Sequence, residues 1–405
     1  VNSSDTRSSM MRVLCVLALA SAIEAAGLGA MPNLRLRGGS KFSAMPASVK
    51  PGVLYGDAVK DLLQHAKDNC YAIPAVNCVT SSSINQVLEA AKKFNSPVMI
   101  QFSNGGSQFY AGKTIASPAD TLQGCVLGAI AGALHVKQMA EHYGVPVVLH
   151  TDHCAKKLLP WFDGMLDADE KHFKEHGTPL FSSHMLDLSE EPHDENIATC
   201  TKYLERMAKI HCLLEMEIGI TGGEEDGVNN EDVKTEDLYS KPEEVMQVVE
   251  AFSKVPNAMY TIAAAFGNVH GVYKSGNVKL SPEILGQAQA YIKEKTGSTE
   301  DKPVFFVFHG GSGSEKDKIT EALKYGVVKM NIDTDIQWAA WDGVRAFEAA
   351  NHDYLQGQIG NPEGADKPNK KFYDPRNWIR KSEEAAVARL GEAFADLNSV
   401  GVLAY

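Results

Sequence analysis

Val145-Pro-Val-Val-Leu-His-Thr-Asp-His153 begins as an unbroken apolar run and ends in four polar residues, two of them histidines. Parallel strands buried on both faces read as continuous apolar runs, and barrel enzymes place their chemistry where such strands end. Seven further runs share this form: Tyr71–Cys78, Pro97–Ser103, Leu180–Leu188, Cys212–Gly219, Met259–Gly267, Val304–Gly311 and Val327–Thr334. Stretches of helical period separate them. Ser82–Lys93 opens on a serine triplet, and Leu122–Tyr143 stops at Gly144 before Pro146. Eight alternating units predict an α/β chain folded as a single (β/α)8 TIM barrel. No Gly-x-Gly-x-x-Gly follows the first run, which disfavours an open dinucleotide-binding sheet.

The strand ends carry Asn77, Ser103, Asp152 with His153, Asp187, Glu217, His270 just beyond run six, His309, and Asn331 with Asp333. Singly, each such residue is most often a hydrogen-bonded core or turn residue; converging on one rim, they predict a site. His153, His270 and His309 come from three different strands or loops and offer three imidazoles to one ion with a position left open, as a catalytic zinc requires. The turns Gly267-Asn-Val-His-Gly271 and His309-Gly-Gly-Ser-Gly-Ser314, the second leading into a helix near Glu315, offer backbone N–H groups to a phosphate, and Asn331-Ile-Asp-Thr334 completes that pocket. Thr221-Gly-Gly-Glu-Glu-Asp-Gly227 is a glycine-flanked acidic loop that reads either as a solvated turn or as a mobile lid carrying a general base.

Composition bounds the ligands. The 405 residues carry a net charge of −12, with 44% hydrophobic and 22% charged. Nothing in this balance forms a basic stripe, so nucleic acid is excluded as a partner and any phosphorylated ligand is small. No apolar run reaches the ~20 residues of a membrane helix, so the mature form is expected to be free of the membrane. Seven scattered cysteines without a C-x-x-C pair imply a reducing compartment rather than a disulfide framework.

Residues 1–48 read as a leader, and 49–405 as the barrel with a C-terminal helical extension. Met11-Arg-Val-Leu-Cys-Val-Leu-Ala-Leu-Ala-Ser-Ala-Ile23 has signal-peptide grammar, and Val1–Ser9 precede a Met pair that could be the true start. From Glu24 to Asp57 no other acid occurs, while Arg35, Arg37, Lys41 and Lys50 supply positive charge, a transit-peptide composition. Signal followed by transit predicts a plastid stroma; the alternative is a disordered tail on a cytoplasmic protein.

Nine motifs resemble one family throughout: Val49-Lys-Pro-Gly-Val53, Pro74-Ala-Val-Asn-Cys78, Gln101-Phe-Ser-Asn-Gly-Gly106, His150-Thr-Asp-His-Cys-Ala-Lys-Lys157, Phe181-Ser-Ser-His-Met185, Thr221–Gly227, Phe266-Gly-Asn-Val-His-Gly-Val-Tyr273, Phe308-His-Gly-Gly-Ser-Gly-Ser314 and Lys329-Met-Asn-Ile-Asp-Thr334. They are similar to class II, zinc-dependent fructose-bisphosphate aldolases. Asn369-Lys-Lys-Phe-Tyr-Asp-Pro-Arg376 resembles the dimeric enterobacterial-type subgroup. The resemblance implies reversible cleavage of fructose 1,6-bisphosphate into two triose phosphates. It makes His153, His270 and His309 the zinc ligands, Asp152 the acid/base at the C4 oxygen and Glu225 the residue that moves the C3 proton. Asp187 and Glu217 match carboxylates around an alternative metal position. Gly271, Gly310, Ser312, Asn331, Asp333 and Thr334 match the ketose and phosphate side, with a monovalent cation (Na+ or K+) nearby. Asn77 matches a substrate-positioning residue, while Ser103 and Arg376 match ligands of the second phosphate; the matching arginine serves the neighbouring subunit of a homodimer. Lys329 lies in a phosphate-side motif and is assigned no imine role. Tagatose 1,6-bisphosphate, which differs only at C4, stays open as a substrate. A metal-dependent hydrolase on the same barrel, or a metal-binding scaffold without activity, is the competing reading.

Overall fold

In the computed structural model, the barrel strands are β1 (Ile73–Asn77), β2 (Val98–Phe102), β3 (Pro146–Cys154), β4 (Ser183–Leu186), β5 (Leu213–Ile218), β6 (Tyr260–Ala264), β7 (Phe306–Phe308) and β8 (Val327–Asn331). Each falls inside one of the eight apolar runs. The structure describes residues 42–225, 228–230, 238–270 and 279–403. The chain divides into Val1–Ser43 and a unit Ala44–Tyr405. Nearly all of the expected leader lies outside the described residues.

Every neighbouring pair from β1–β2 through β7–β8 is parallel, and β8–β1 closes the ring. In each strand the pleat sends alternate residues to opposite faces. Val147 and Leu149 of β3, and Leu214, Met216 and Ile218 of β5, join the apolar core formed with helix residues such as Ile84, Val87, Ala129 and Val136. His150 and Asp152, Glu215 and Glu217, and Lys329 and Asn331 take the alternate positions and are all buried. Hydrophobic packing outside the strands thus leaves the interior free for polar chemistry.

Local signals fix the helices. Thr80 caps Ser81–Phe94 by accepting the Ser83 N–H at 3.1 Å, and Ser83 returns the contact. Gly144, at φ 75°, ends Gln123–Tyr143 by donating its N–H to the Ala140 and Glu141 carbonyls, a left-handed cap that favours glycine. The C-terminal extension contains the helices Thr334–Ala350 and Pro375–Asp396, which pack on one another. It also holds the antiparallel pair Ile359–Asn361 and Gly364–Pro368, which the sequence reading did not foresee.

Candidate active site

Consecutive residues on a strand normally face opposite ways, yet both Asp152 and His153 serve the barrel mouth. A bulge makes this possible. Thr151 pairs with His184 and Cys154 with Leu186, so β3 carries one residue more than β4 across this step. His153 takes φ 44°, and its N–H lies 3.4 Å from the Met185 sulfur. Ligand atoms of Asp152, His153 and His309 then lie within 4.8 Å of one another, as do those of His153, Asp187 and Glu217. Imidazoles and carboxylates converging from four strand ends form a donor set that suits zinc.

Asp152 is fully buried and accepts hydrogen bonds from three other strands: Gln101 Nε2 at 2.9 Å, Asn77 Nδ2 at 3.2 Å and Asn331 Nδ2 at 3.1 Å. The expected substrate-positioning Asn77 and phosphate-side Asn331 therefore both orient the expected acid/base. His153 Nδ1 donates to Asp187 Oδ2 at 3.0 Å. Burial pushes the Asp187 carboxyl up, but hydrogen bonds from His153 and Ser189 outweigh it and hold it at about 2. His309 stands between two glutamates, with Nδ1 3.0 Å from Glu217 Oε2 and Nε2 2.8 Å from Glu215 Oε1. Burial lowers its pKa; the Glu217 charge and the hydrogen bonds to both glutamates outweigh burial and raise it to about 9. Thr221 Oγ1 donates to Glu217 Oε1 at 2.7 Å, and Asn268 bridges Thr221 to the His309 carbonyl at 3.1 Å each. Three strand ends are tied together by one asparagine.

On the side expected to hold a phosphate, Gly311 donates its N–H to the Asn331 carbonyl at 3.2 Å. A Cβ there would meet that oxygen at 2.7 Å, so glycine is required for the turn to lie against β8. Ser312 Oγ accepts the Asp335 N–H at 3.3 Å, and Ser314 Oγ donates to the Gly310 carbonyl at 3.3 Å. Gly310, Ser312, Asn331, Asp333 and Thr334 therefore border one corner. There Asp333 precedes helix Thr334–Ala350 and accepts from Gln337 at 2.7 Å. Across the mouth, Ser103 caps the helix Asn104–Ala111, accepting the Gly106 N–H at 3.2 Å. Both corners thus present the N-terminal end of a helix.

The acidic segment after β5 is strand rather than open loop. Gly222–Glu225 pairs antiparallel with Val228–Asn230 and parallel with Val269–His270, where His270 stands opposite Gly223. This places the backbones of Glu225 and His270 in one small sheet; Gly271 lies outside the described residues. Arg376 is 88% exposed and paired with Asp374 at 2.7 Å. Within one chain it is not joined to the mouth residues by any described contact.

Sequence reasoning missed Gln101, Glu215, His150 and Asn268. The first three were legible in principle, because each lies on an inward strand position, and Glu215 and His150 stand two residues before Glu217 and Asp152.

A family model described as fructose-bisphosphate aldolase class-II matches residues 57–402. Over 356 residues, 88% of the chain, the sequence is 60% identical to a fructose-bisphosphate aldolase of Haemophilus influenzae, covering 98% of that protein. It is 59% identical to the Escherichia coli fructose-bisphosphate aldolase class 2 over the same share of each. A crystal structure of the Campylobacter jejuni fructose-bisphosphate aldolase superimposes with a TM-score of 0.79 at 56% identity, covering 87% of this chain and 97% of that one. With a family-model match along most of its length, a closed eight-stranded barrel and relatives covered nearly end to end, this chain belongs to the class II fructose-bisphosphate aldolase family.

Proposed function

We propose that the barrel mouth cleaves D-fructose 1,6-bisphosphate reversibly into dihydroxyacetone phosphate and glyceraldehyde 3-phosphate. His153, His270 and His309 hold zinc, and Asp187 and Glu217 border an alternative ion position. The observation that carries the proposal is the convergence of Asp152, His153 and His309 ligand atoms within 4.8 Å at a mouth flanked by two helix N-termini. When bound, the ion supplies Lewis-acid stabilisation of the negative charge left when the C3–C4 bond breaks. Asp152, fixed by three amide donors, takes the C4 hydroxyl proton in cleavage and returns it to the aldehyde oxygen in condensation. Glu225 delivers a proton to C3 of the ketose fragment, and removes it in the reverse direction. Different residues serve the two carbons because the two protons leave different atoms at different times.

Gly271, Gly310, Ser312, Asn331, Asp333 and Thr334 hold the ketose end and its phosphate beside a monovalent cation, and Asn77 positions the sugar. Ser103 and Arg376 take the second phosphate. Helix N-termini and backbone N–H groups bind these anions without a positive surface, consistent with a net charge of −12. Lys329 needs no covalent role: both Glu215 oxygens lie within 2.8 Å of its ammonium. The exposure of Arg376 supports a homodimer in which it serves the partner's mouth. On the helix Thr334–Ala350, packed against Arg376's own, Trp338 and Trp341 are 61% and 56% exposed, the kind of apolar surface a second copy would cover.

The reaction is one of glycolysis and, reversed, of gluconeogenesis. A plastid location with a part in carbon fixation rests on the composition of residues 10–50 alone, and the bacterial relatives lend it no support. Fused to a fluorescent protein in an alga, those residues should direct it to the plastid; uniform cytosolic fluorescence would reject the leader. For the activity, zinc content should be measured alongside cleavage of fructose and tagatose 1,6-bisphosphates before and after EDTA. Zinc-restored cleavage that prefers the fructose ester is expected; full activity after complete chelation would overturn the proposal.

A further inference from the structure

One layer below the mouth lie three polar side chains that the proposed reaction does not use: His150, Glu215 and Lys329, all buried. They precede Asp152, Glu217 and Asn331 by two residues on β3, β5 and β8, so the pleat turns both layers into the barrel. Lys329 Nζ lies 2.7 and 2.8 Å from the two Glu215 oxygens, 3.2 Å from His150 Nε2 and 4.0 Å from Asp152 Oδ1. His150 Nδ1 is engaged with Ser183 Oγ at 2.7 Å. Glu215 Oε1 then reaches upward to His309 Nε2 at 2.8 Å, while Nδ1 of the same ring faces Glu217 in the mouth layer at 3.0 Å. His309 is gripped from both layers.

A buried ion pair gives little net stability, since apolar residues of the same volume often serve as well. The position of this pair supplies another reason for it. A histidine that binds a metal through one nitrogen needs a fixed acceptor for the proton on the other, or its ring and tautomer wander. A buried carboxylate can be that acceptor only while a cation keeps it charged and still.

We propose that the Lys329–Glu215 ion pair is a positioning device for His309: Glu215 accepts the Nε2 proton, leaving Nδ1 as the nitrogen turned to the metal, and Lys329 holds Glu215 in place. The inference rests on the reading of His309 as a zinc ligand. Neither Glu215 nor Lys329 touches substrate in this scheme; Lys329 acts through Glu215, and Glu215 through His309.

The test uses the full chain with Glu215→Gln, Lys329→Met, Lys329→Arg and the double variant Glu215→Gln/Lys329→Met. Zinc affinity is measured by competition with a chelator, and visible absorption is recorded with cobalt in place of zinc. Glu215→Gln and Lys329→Met should each weaken zinc binding about 10- to 100-fold, the usual cost of losing an orienting partner. Both should shift the cobalt bands. The double variant should lose little beyond the worse single, because the two act as one unit. With zinc saturating, KM for the sugar bisphosphate should stay within about threefold while kcat falls. Lys329→Arg, which keeps the charge, should bind zinc several-fold more tightly than Lys329→Met. Unchanged zinc affinity and cobalt spectrum in a folded Glu215→Gln would overturn the inference alone. If that variant does not fold, equal zinc affinity in Lys329→Arg and Lys329→Met overturns it. A wild-type enzyme that binds no zinc would instead remove the reading of the mouth beneath it, and covalent trapping of substrate on Lys329 by borohydride would replace positioning with imine chemistry.

Discussion

Asp152 accepts hydrogen bonds from amides on three other strands and has no exposed surface, whereas Arg376 stands 88% exposed with its guanidinium on Asp374, two residues away. The two belong to one proposed mechanism but are held in different ways. The polar groups inside the barrel, Asp152, Glu215, Glu217 and His309, are each held by partners from other strands, which limits rearrangement when charge develops. The groups proposed to meet the substrate from outside, Arg376 and Glu225, sit on a terminal helix and on a small sheet that follows β5. Asp152 thus has its partners within one chain, whereas the proposed role of Arg376 needs a second copy.

Removing an interior ligand should do the most damage. His309→Ala should lose tightly bound zinc and lower turnover by more than about 10³-fold, since Lewis-acid stabilisation contributes several kcal/mol. Circular dichroism should still report a folded barrel, because residues at the mouth serve function more than the core. Retained zinc at full stoichiometry would break the contrast between interior and exterior.

Arg376→Ala should cost about 10²-fold in kcat/KM through loss of a bidentate phosphate contact, with the urea unfolding midpoint unchanged because the side chain is exposed. Mixed with inactive Asp152→Ala subunits, it should regain part of the activity through hybrid mouths. No rescue despite demonstrated subunit exchange would place Arg376 outside a shared site.

The smallest effect belongs to the outer layer. Arg380 contacts both oxygens of Glu89 at 2.6 and 2.8 Å, tying Ser81–Phe94 to Pro375–Asp396, and this hydrogen bonding lowers the Glu89 pKa below 4.5. A depressed carboxylate contributes stability that is present above its unfolded value and lost as pH falls through the folded one. Glu89→Gln should therefore lower stability by less than about 1 kcal/mol at pH 7, with the difference from wild type shrinking below about pH 4, as read by urea unfolding. A constant difference across that range would assign the effect to packing.

The fold was legible because barrel strands are apolar on the helix-facing side and polar mainly at their ends. All eight runs contain a strand, although the runs Leu180–Leu188 and Val304–Gly311 overstate β4 and β7, since apolarity persists into buried loops that make no ladder. The mouth was legible where polar residues end a run, as with His153 and Glu217. It was harder to read where polar residues lie within one: Glu215 and His150 interrupt apolar strands, and only their two-residue offset from Glu217 and Asp152 marks them as interior. The bulge at Asp152–His153 left one trace, two adjacent polar residues that alternation alone would separate. The Gly222–Asn230 pair was read as a lid from its glycines, although an Asp-Gly step between short segments is also a hairpin signal.

The proposed division of labour between the buried Asp152 and Glu225 is the centre of this account, and one exchange measurement separates them. Dihydroxyacetone phosphate alone is incubated in D2O with each zinc-loaded variant, and loss of the C3 proton signal is followed by NMR. Glu225→Gln should slow exchange by about 10²-fold or more, the scale of a positioned base, while Asp152→Ala should keep much of the exchange and lose carbon–carbon bond formation. Near-normal exchange in Glu225→Gln, or exchange abolished in Asp152→Ala with zinc still bound, would contradict it.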